Sequence, residues 1–543
     1  MPVATFRARD LCRLAGVQMD AKALGEALAP IGGDVDKAEG DQLAMEWFPN
    51  RPDLLCIEAS AAALAAFTGR RPGLPQVPVR KGQQVLHVDA SVASVRPHAA
   101  LCFVRGVRLD EDAVAGLIEA QEKLCLGMGR RRRKVAIGLH DASGRTGPFH
   151  YTAVGPRDKP FVPLGESREM TPAQVLAQHP KGREYAGLLP ADRFPVFLDG
   201  AGHVLSMPPV INAAATAVAP ATRDILVDVT GTEPTAVRRT AALLAFALAQ
   251  RGGVVETVRV HDASGAWDCP DLRPVERTLH VDDVAALLGA RLEAEACAQA
   301  LRRMGHDAEG FDNKVLVQSP PWRFDLLHDV DWLEDVAVGV GFDAIPGGRV
   351  TVPTFGSALP HQPLEDRLRM LLIGHGWLEA RTLTLTDPAA DALAWGADPE
   401  PAAQVLNPVL QEQTQLRTRL LPSLLQVLAQ NKHRPLPQRL FEVGHVVRRH
   451  ADGAFRNELR LAVVELSAKA GFSEAKAVAQ ALERDARLGV TLGAEHVPGF
   501  IPGRCGVLRR AGAQVGHFGE LHPATLSAFG LGAPGWGYEL SLA

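Results

Sequence analysis

At 543 residues the chain is long enough for roughly three to four domains. With 46% hydrophobic and 22% charged residues, and a mean hydropathy near zero, it has ample material for globular cores. Lys+Arg 58 against Asp+Glu 62 leave a formal net charge of -4, so nucleic acid would have to be met by a local basic patch.

No apolar run approaches the roughly 18 residues of a membrane span; residues 241–249 come nearest and close at Gln250-Arg251. The start, Met1-Pro2-Val3-Ala4-Thr5-Phe6-Arg7, does not read as a secretory signal. Seven cysteines stand singly with no paired spacing, which argues against a disulfide scaffold or a thiolate zinc site and for a reducing cytoplasm. Membrane, secreted and disordered classes are excluded on these grounds, and the lack of a fixed-period repeat argues against a solenoid.

Proline and glycine clusters at 69–75, 268–274 and 346–360 predict four segments, read as 1–75, 84–268, 275–346 and 360–543. The first carries a helix after Asp10 and another after Pro52-Asp53 that runs to Phe67. The second alternates strands (135–139, 225–229) with helices such as 237–250, and is long enough to bury its own core. The third has helices at 282–288 and 293–304, the latter stopped by Gly305, then a strand at 315–317, an arrangement like a winged helix. In the fourth, Leu364, Leu368, Leu371 and Leu372 form a helical stripe. Thr382-Leu383-Thr384-Leu385-Thr386 alternates as a strand. Further strands at 439–447 and 459–466 suggest an antiparallel α+β domain.

Three groups of residues invite a chemical reading. Asp331, Glu334 and Asp335 share a face of a helix predicted from about 329 to 340, and Asp325 lies just before it. Four carboxylates without thiolates would suit a hard ion such as magnesium. Acidic residues in a first helical turn also simply complement the helix dipole, and that is the commoner role. Gly129-Arg130-Arg131-Arg132-Arg133-Lys134 is the strongest basic run; it could grip phosphates or be a solvated face, and no aromatic platform interleaves with it. Asp228 and Thr230 project from one face of an apolar strand, and Ser206 and Asn212 flank a proline-stiffened segment upstream. Hydroxyl, amide and carboxylate together could position an ester and a water, though such groups more often serve turns and caps. There is no P-loop, no Rossmann fingerprint, no His-Glu-x-x-His and no nucleophile elbow.

A resemblance adds to this reading. Phe48-Pro49-Asn50-Arg51-Pro52-Asp53-Leu54-Leu55, the run from Gly129 to Asp141, Phe161-Val162-Pro163-Leu164-Gly165 and His179-Pro180-Lys181-Gly182-Arg183-Glu184-Tyr185 all carry it. So do Asp228-Val229-Thr230-Gly231-Thr232, Asn431-Lys432-His433-Arg434-Pro435-Leu436-Pro437 and Gly519-Glu520-Leu521-His522-Pro523. The chain resembles the β subunit of phenylalanyl-tRNA synthetase, of the shorter archaeal/eukaryotic type, along essentially its whole length.

The resemblance implies a cytoplasmic (αβ)₂ heterotetramer that joins phenylalanine to its tRNA with ATP at the α subunit. It implies a multi-domain α+β fold: an N-terminal scaffold, a mixed αβ editing domain, a small winged-helix-like domain, and a class II synthetase antiparallel-sheet domain that has lost its chemistry. It places a family magnesium site on Asp325, Asp331, Glu334 and Asp335. It places a pocket for hydrolysing mischarged tyrosyl-tRNA on Ser206, Asn212, Asp228 and Thr230, with Leu198 or Phe197 as an apolar wall. The longer bacterial type carries an OB-fold insertion and a C-terminal anticodon-binding domain that this sequence lacks. A non-catalytic scaffold that only stabilises the α subunit and tRNA is the competing expectation; an autonomous synthetase is disfavoured by the missing ATP-binding segment.

Overall fold

Residues 3–7 alternate buried and exposed side chains, the pattern of a strand with one face on a core. In the computed structural model, which describes residues 2–349, 352, 354–393 and 401–542, Val3–Arg7 (β1), Gly33–Glu39 (β2) and Gln42–Trp47 (β3) form an antiparallel sheet of order β1-β3-β2. Helices Ala8–Ala15 (α1), Ala21–Leu28 (α2) and Ile57–Phe67 (α3) accompany it. Gly16 takes a positive φ of 71°, which ends α1 without a Cβ clash.

The stretch that follows opens with Val79–Arg80 (β4), Val85–Val88 (β5), His98–Arg105 (β6) and the helix Glu111–Leu126 (α4). Val135–Asp141 (β7) and Phe149–Val154 (β8) precede two short helices, Pro172–Gln178 (α5) and Pro180–Tyr185 (α6). Then come Phe194–Leu198 (β9), Val204–Met207 (β10), Ile211–Asn212 (β11) and Asp224–Gly231 (β12). The helix Pro234–Gln250 (α7) and strands Val254–Glu256 (β13), Val258–Asp262 (β14) and Gly265–Cys269 (β15) close the stretch. Two sheets result, of order β4-β13-β6-β12-β7 and β11-β10-β9-β8-β5-β14-β15. Strand β12 lies between β6 and β7, antiparallel to both, and is buried from Ile225 to Gly231. Helix α7 is buried along nearly its whole length, which explains the apolar run at 241–249. Among the described residues no helix is long and apolar enough to cross a membrane.

The expected boundary near residue 75 does not separate two cores. One hydrophobic core runs from Ala4 through α3 and both large sheets to Cys269, and takes in Trp322, stacked on Phe246 at 4.2 Å. Helix α3 packs on α7, so neither of the first two segments buries its apolar surface alone. An ion cluster fastens this contact: buried Arg251, at the end of α7, donates to Glu58 at 2.6 Å and to Asp10 at 2.8 and 3.1 Å. Burial opposes the guanidinium charge, but Glu58 and Asp10 outweigh it and keep the group protonated.

Val275–His280 (β16), Val281–Leu288 (α8), Ala294–Arg303 (α9), Asp307–Phe311 (β17), Lys314–Ser319 (β18) and Asp329–Val340 (α10) have a core of their own. The two expected helices are present, Gly305 stands after the second with φ 84°, and a three-stranded sheet of order β16-β18-β17 completes the segment. The chain divides by its contacts into Met1–Val350, which holds all of the elements above, and Thr351–Ala543.

Within Thr351–Ala543, a seven-stranded sheet is antiparallel except at its edge pair, Leu378–Glu379 beside Gln438–Arg449. Its period of two feeds two cores. Leu461 and Val463 face the helices Gln362–Gly374 and Phe472–Ala486, while Ala462 and Val464 face Leu421–Gln430. The leucine stripe at 364–372 behaves as expected, with Leu368 and Leu372 fully buried. The strand expected at 382–386 does not form over its length. Only Leu385–Thr386 pairs, with Gln415–Leu416; Leu383 is exposed, and the Thr382 hydroxyl is held by Glu442 and Arg417.

Replacing Arg251 by Met leaves Glu58 as a buried, uncompensated charge. The expected cost is about 3–5 kcal/mol, read as a lower urea midpoint, and Glu58→Gln in the same chain should recover part of it.

Candidate functional site

Helix α4 places Val114, Leu117, Ile118 and Gln121 at i, i+3, i+4 and i+7, one face of a helix. That face forms one wall of a cavity of about 340 Å³. The opposite lining comes from β7 (Ala136, Ile137, Leu139), the turn from Pro208 to Asn212, and Asp228 of β12. The volume lies in the range of small-ligand sites, and the lining is mostly apolar with a few polar groups.

Asp228 is buried in the middle of β12 and ends at the cavity. Its Oδ2 accepts from Ser206 Oγ at 2.8 Å and from His140 Nε2 at 2.8 Å. Since the carboxylate accepts, Nε2 carries the hydrogen, and His140 Nδ1 faces Thr216 Oγ1 at 2.8 Å. The order is therefore hydroxyl, carboxylate, imidazole, hydroxyl. The imidazole does not touch the Ser206 hydroxyl, so this is no serine nucleophile activated by a histidine base. Asn212 lines the same cavity and donates through Nδ2 to Leu139 O at 3.2 Å.

Gly138, opposite Asp228 in the β7–β12 register, makes room for the carboxylate. A Cβ there would lie 2.5 Å from Asp228 Oδ2 and 2.7 Å from its Cγ.

Cationic groups line the cavity as well. Arg132 donates to Pro209 O at 3.1 Å and Val210 O at 2.9 Å, pairs with Glu122 at 2.5 Å, and lies over the Tyr185 ring at 4.5 Å. Lys181 reaches the lining from the start of α6, whose first amide is capped by His179.

The structure thus brings Ser206, Asn212 and Asp228 together and leaves other expected members elsewhere. Thr230 is fully buried; its hydroxyl accepts from Arg96 Nε at 2.8 Å and its carbonyl from Arg96 Nη2 at 2.6 Å. It does not line the cavity. Phe197 stacks on Tyr151 at 4.7 Å inside the main core, and Leu198 belongs to a satellite core around Phe194 and Met207. Neither is an apolar wall of the pocket; α4 supplies that wall. His140 and Thr216 are the members that sequence reading missed. His140 stands in the quoted 129–141 run, but only the β7–β12 register sets it against Asp228.

The acidic cluster divides differently from its spacing. Asp325 receives Arg323 Nε at 2.9 Å and Nη2 at 2.7 Å, and Asp335 receives Arg323 Nη2 at 2.7 Å and His306 Nε2 at 2.7 Å. Burial pushes the Asp335 pKa up, but the Arg323 charge and the His306 hydrogen bond outweigh it and hold the group well below the usual carboxylate range. Asp331 Oδ2 accepts the amides of Leu327 and His328 at the start of α10, each at 2.6 Å, and Glu334 is exposed. Among the described residues no three His, Cys, Asp or Glu side chains converge to hold a metal. As a set of four, Asp325, Asp331, Glu334 and Asp335 do not fit a divalent ion in this chain, because buried Arg323 is already paired with two of them.

Gly138→Ala is expected to drive the Asp228 carboxylate off Ser206 and His140. The ¹⁵N shifts of the His140 ring would change, at a cost of about 1–3 kcal/mol in stability.

Comparison with known proteins agrees with this architecture. Residues 345–542 match the phenylalanyl tRNA synthetase beta chain CLM domain, and residues 277–342 match the tRNA synthetase B5 domain. The phenylalanine–tRNA ligase beta subunit of Methanothrix thermoacetophila is 39% identical, with 100% of each chain covered. That of Archaeoglobus fulgidus is 38% identical over 100% of this chain and 98% of its own. A crystal structure of an N-terminal fragment of the phenylalanyl-tRNA synthetase beta subunit from Pyrococcus horikoshii is 33% identical. It superposes with a TM-score of 0.60 over 62% of this chain and 99% of that one. Identity at this level over the full length shows that the chain belongs to the phenylalanine–tRNA ligase beta subunit family.

Proposed function

We propose that this chain works with an α subunit in an (αβ)₂ phenylalanine–tRNA ligase, and that residues 84–268 hydrolyse tyrosyl-tRNA made in error. The ligation step, with its ATP and magnesium, belongs in this reading to the α partner. The single observation that carries the hydrolytic part is the cavity of about 340 Å³ with Ser206, Asn212 and Asp228 on its lining. Three polar groups of different chemistry converge there beside the apolar face of α4, with Gln121, Glu122, Arg132 and Lys181 also on the lining, in a chain whose sequence shows neither a triad nor an ATP-binding loop.

In this mechanism Asp228 orients the attacking water, with its carboxylate fixed by Ser206 and His140. Asn212 is placed to donate to the ester carbonyl, where negative charge develops during attack. His140 acts through Asp228 and is a positioning residue. Thr230 keeps a role one step removed, since it ties Arg96 to β12 behind the pocket. Selection of tyrosine rests on the polar part of the lining, Gln121, Arg132 and Lys181. A site that hydrogen-bonds a phenolic OH discriminates strongly against the analogue lacking it.

Magnesium bound by this chain reduces to a narrower proposal. Asp331 Oδ1 and the exposed Glu334 remain available, one helical turn apart, and an ion there would keep most of its waters. The segments 275–346 and 360–543 are assigned scaffold and docking roles, the latter as a class II synthetase-like sheet without ligation chemistry.

Asp228→Ala in the αβ complex should slow release of tyrosine from tyrosyl-tRNA by at least about a hundredfold, with phenylalanylation unchanged. Deacylation at the wild-type rate would favour the scaffold reading instead.

A further inference from the structure

We infer that the loop 129–134 is the RNA-backbone contact of this pocket and grips phosphates of the single-stranded 3′ end of the tRNA. The inference rests on the hydrolytic reading above. Arg130, Arg131 and Arg133 are exposed, and among the described residues their guanidinium groups make no hydrogen bond or ion pair. Arginines elsewhere in the fold are commonly paired, as Arg51 is with Asp53, Arg251 with Glu58 and Arg460 with Glu539. Adjacent unpaired like charges repel, so a site that retains them is suited to a polyanion.

The loop is built rather than loose. Arg130, Arg131 and Arg132 all adopt positive φ, 50°, 52° and 64°, a region unfavourable for residues other than glycine. Backbone N–H hydrogen bonds donated by Arg131 to Leu126 O (3.0 Å), Arg132 to Cys125 O (2.9 Å) and Lys134 to Gly129 O (2.8 Å) hold that shape. Gly129 packs so closely that a Cβ would lie 2.5 Å from Cys125 O. In this conformation Arg132 turns inward to line the cavity, while its neighbours on both sides face solvent. Consecutive Cα atoms lie about 3.8 Å apart, so Arg131 and Arg133 stand one residue, and Arg130 two residues, from the cavity wall at Arg132.

That placement matches the covalent structure of the substrate. An aminoacyl ester with its side chain in the cavity leaves the phosphates of the preceding nucleotides just outside the mouth. Residues 129–134 include no aromatic side chain, and the Tyr185 ring is covered by Arg132, so the contact reads backbone charge and not bases. With a formal net charge of -4 the chain offers no general attraction to RNA, and a local cationic loop supplies it.

The test uses the αβ complex with all three exposed arginines changed, R130Q/R131Q/R133Q, beside R130K/R131K/R133K, which keeps the charge. Two substrates are compared: tyrosyl-tRNA, and tyrosyl-adenosine, which has the same ester and no phosphate. For the glutamine variant, KM for tyrosyl-tRNA should rise about tenfold or more with kcat little changed. The log–log salt dependence of kcat/KM should lose about 2 from its slope, at about 0.7 per single-strand phosphate contact. Hydrolysis of tyrosyl-adenosine should not change, and the lysine variant should keep the salt slope. A glutamine variant that matches wild type on tyrosyl-tRNA at every salt concentration overturns the inference alone. So does one whose defect is loss of the α subunit in gel filtration. A wild-type complex that releases tyrosine from neither substrate overturns the hydrolytic reading and the inference with it.

Discussion

A carboxylate in the middle of a buried strand has to be satisfied locally, and the fold around Asp228 supplies two hydrogen bonds to its Oδ2. Ser206 comes from β10, His140 from β7, and Gly138 leaves the space in which the carboxylate sits. These residues belong to two different sheets, so the polar cluster forms only once β12 is seated between β6 and β7 and the β9–β11 layer has closed over it. An unsatisfied buried carboxylate would cost several kcal/mol. The same hydrogen bonds that make the charge tolerable also fix its direction toward the cavity. Stability and the proposed chemistry therefore draw on one set of contacts.

Charge burial recurs wherever segments of Met1–Val350 meet. Arg251 draws Glu58 and Asp10 onto the end of α7, and Arg323 draws Asp325 and Asp335 together beside His306. Such clusters add little net stability compared with apolar packing, but losing one partner is costly because the rest stay buried. They make the relative placement of these segments specific. In Arg323 the fold uses a fixed organic cation where the family resemblance placed a magnesium site.

Arginine takes opposite roles within one short loop. Arg132 is spent on carbonyls, Glu122 and the Tyr185 ring, and shapes the cavity, whereas its neighbours are left to solvent. A basic run read along the chain makes all its members equivalent. The left-handed turn separates them, since the backbone at 130–132 turns Arg132 inward and leaves Arg130, Arg131 and Arg133 to solvent.

Much of the fold was legible because periodicity reports directly on burial. The stripe Leu364, Leu368, Leu371 and Leu372, the stop at Gly305 and the strands at 135–139 and 225–229 all appear where their patterns put them. Where local pattern met a competing long-range partner it failed, as at 382–386, whose Thr382 is captured by Glu442 and Arg417. Of the candidate site, Asp228, Ser206 and Asn212 could be named from their chemistry and from resemblance, but Thr230 and Asp228, two apart on one strand, part company in the fold. Arg96 reaches one and His140 the other. The amino-acid order alone determined the elements, the family and the residue types on offer. Sheet register and helix packing decided which of them meet, because hydrogen-bond partners are set by distances across strands and not by distance along the chain.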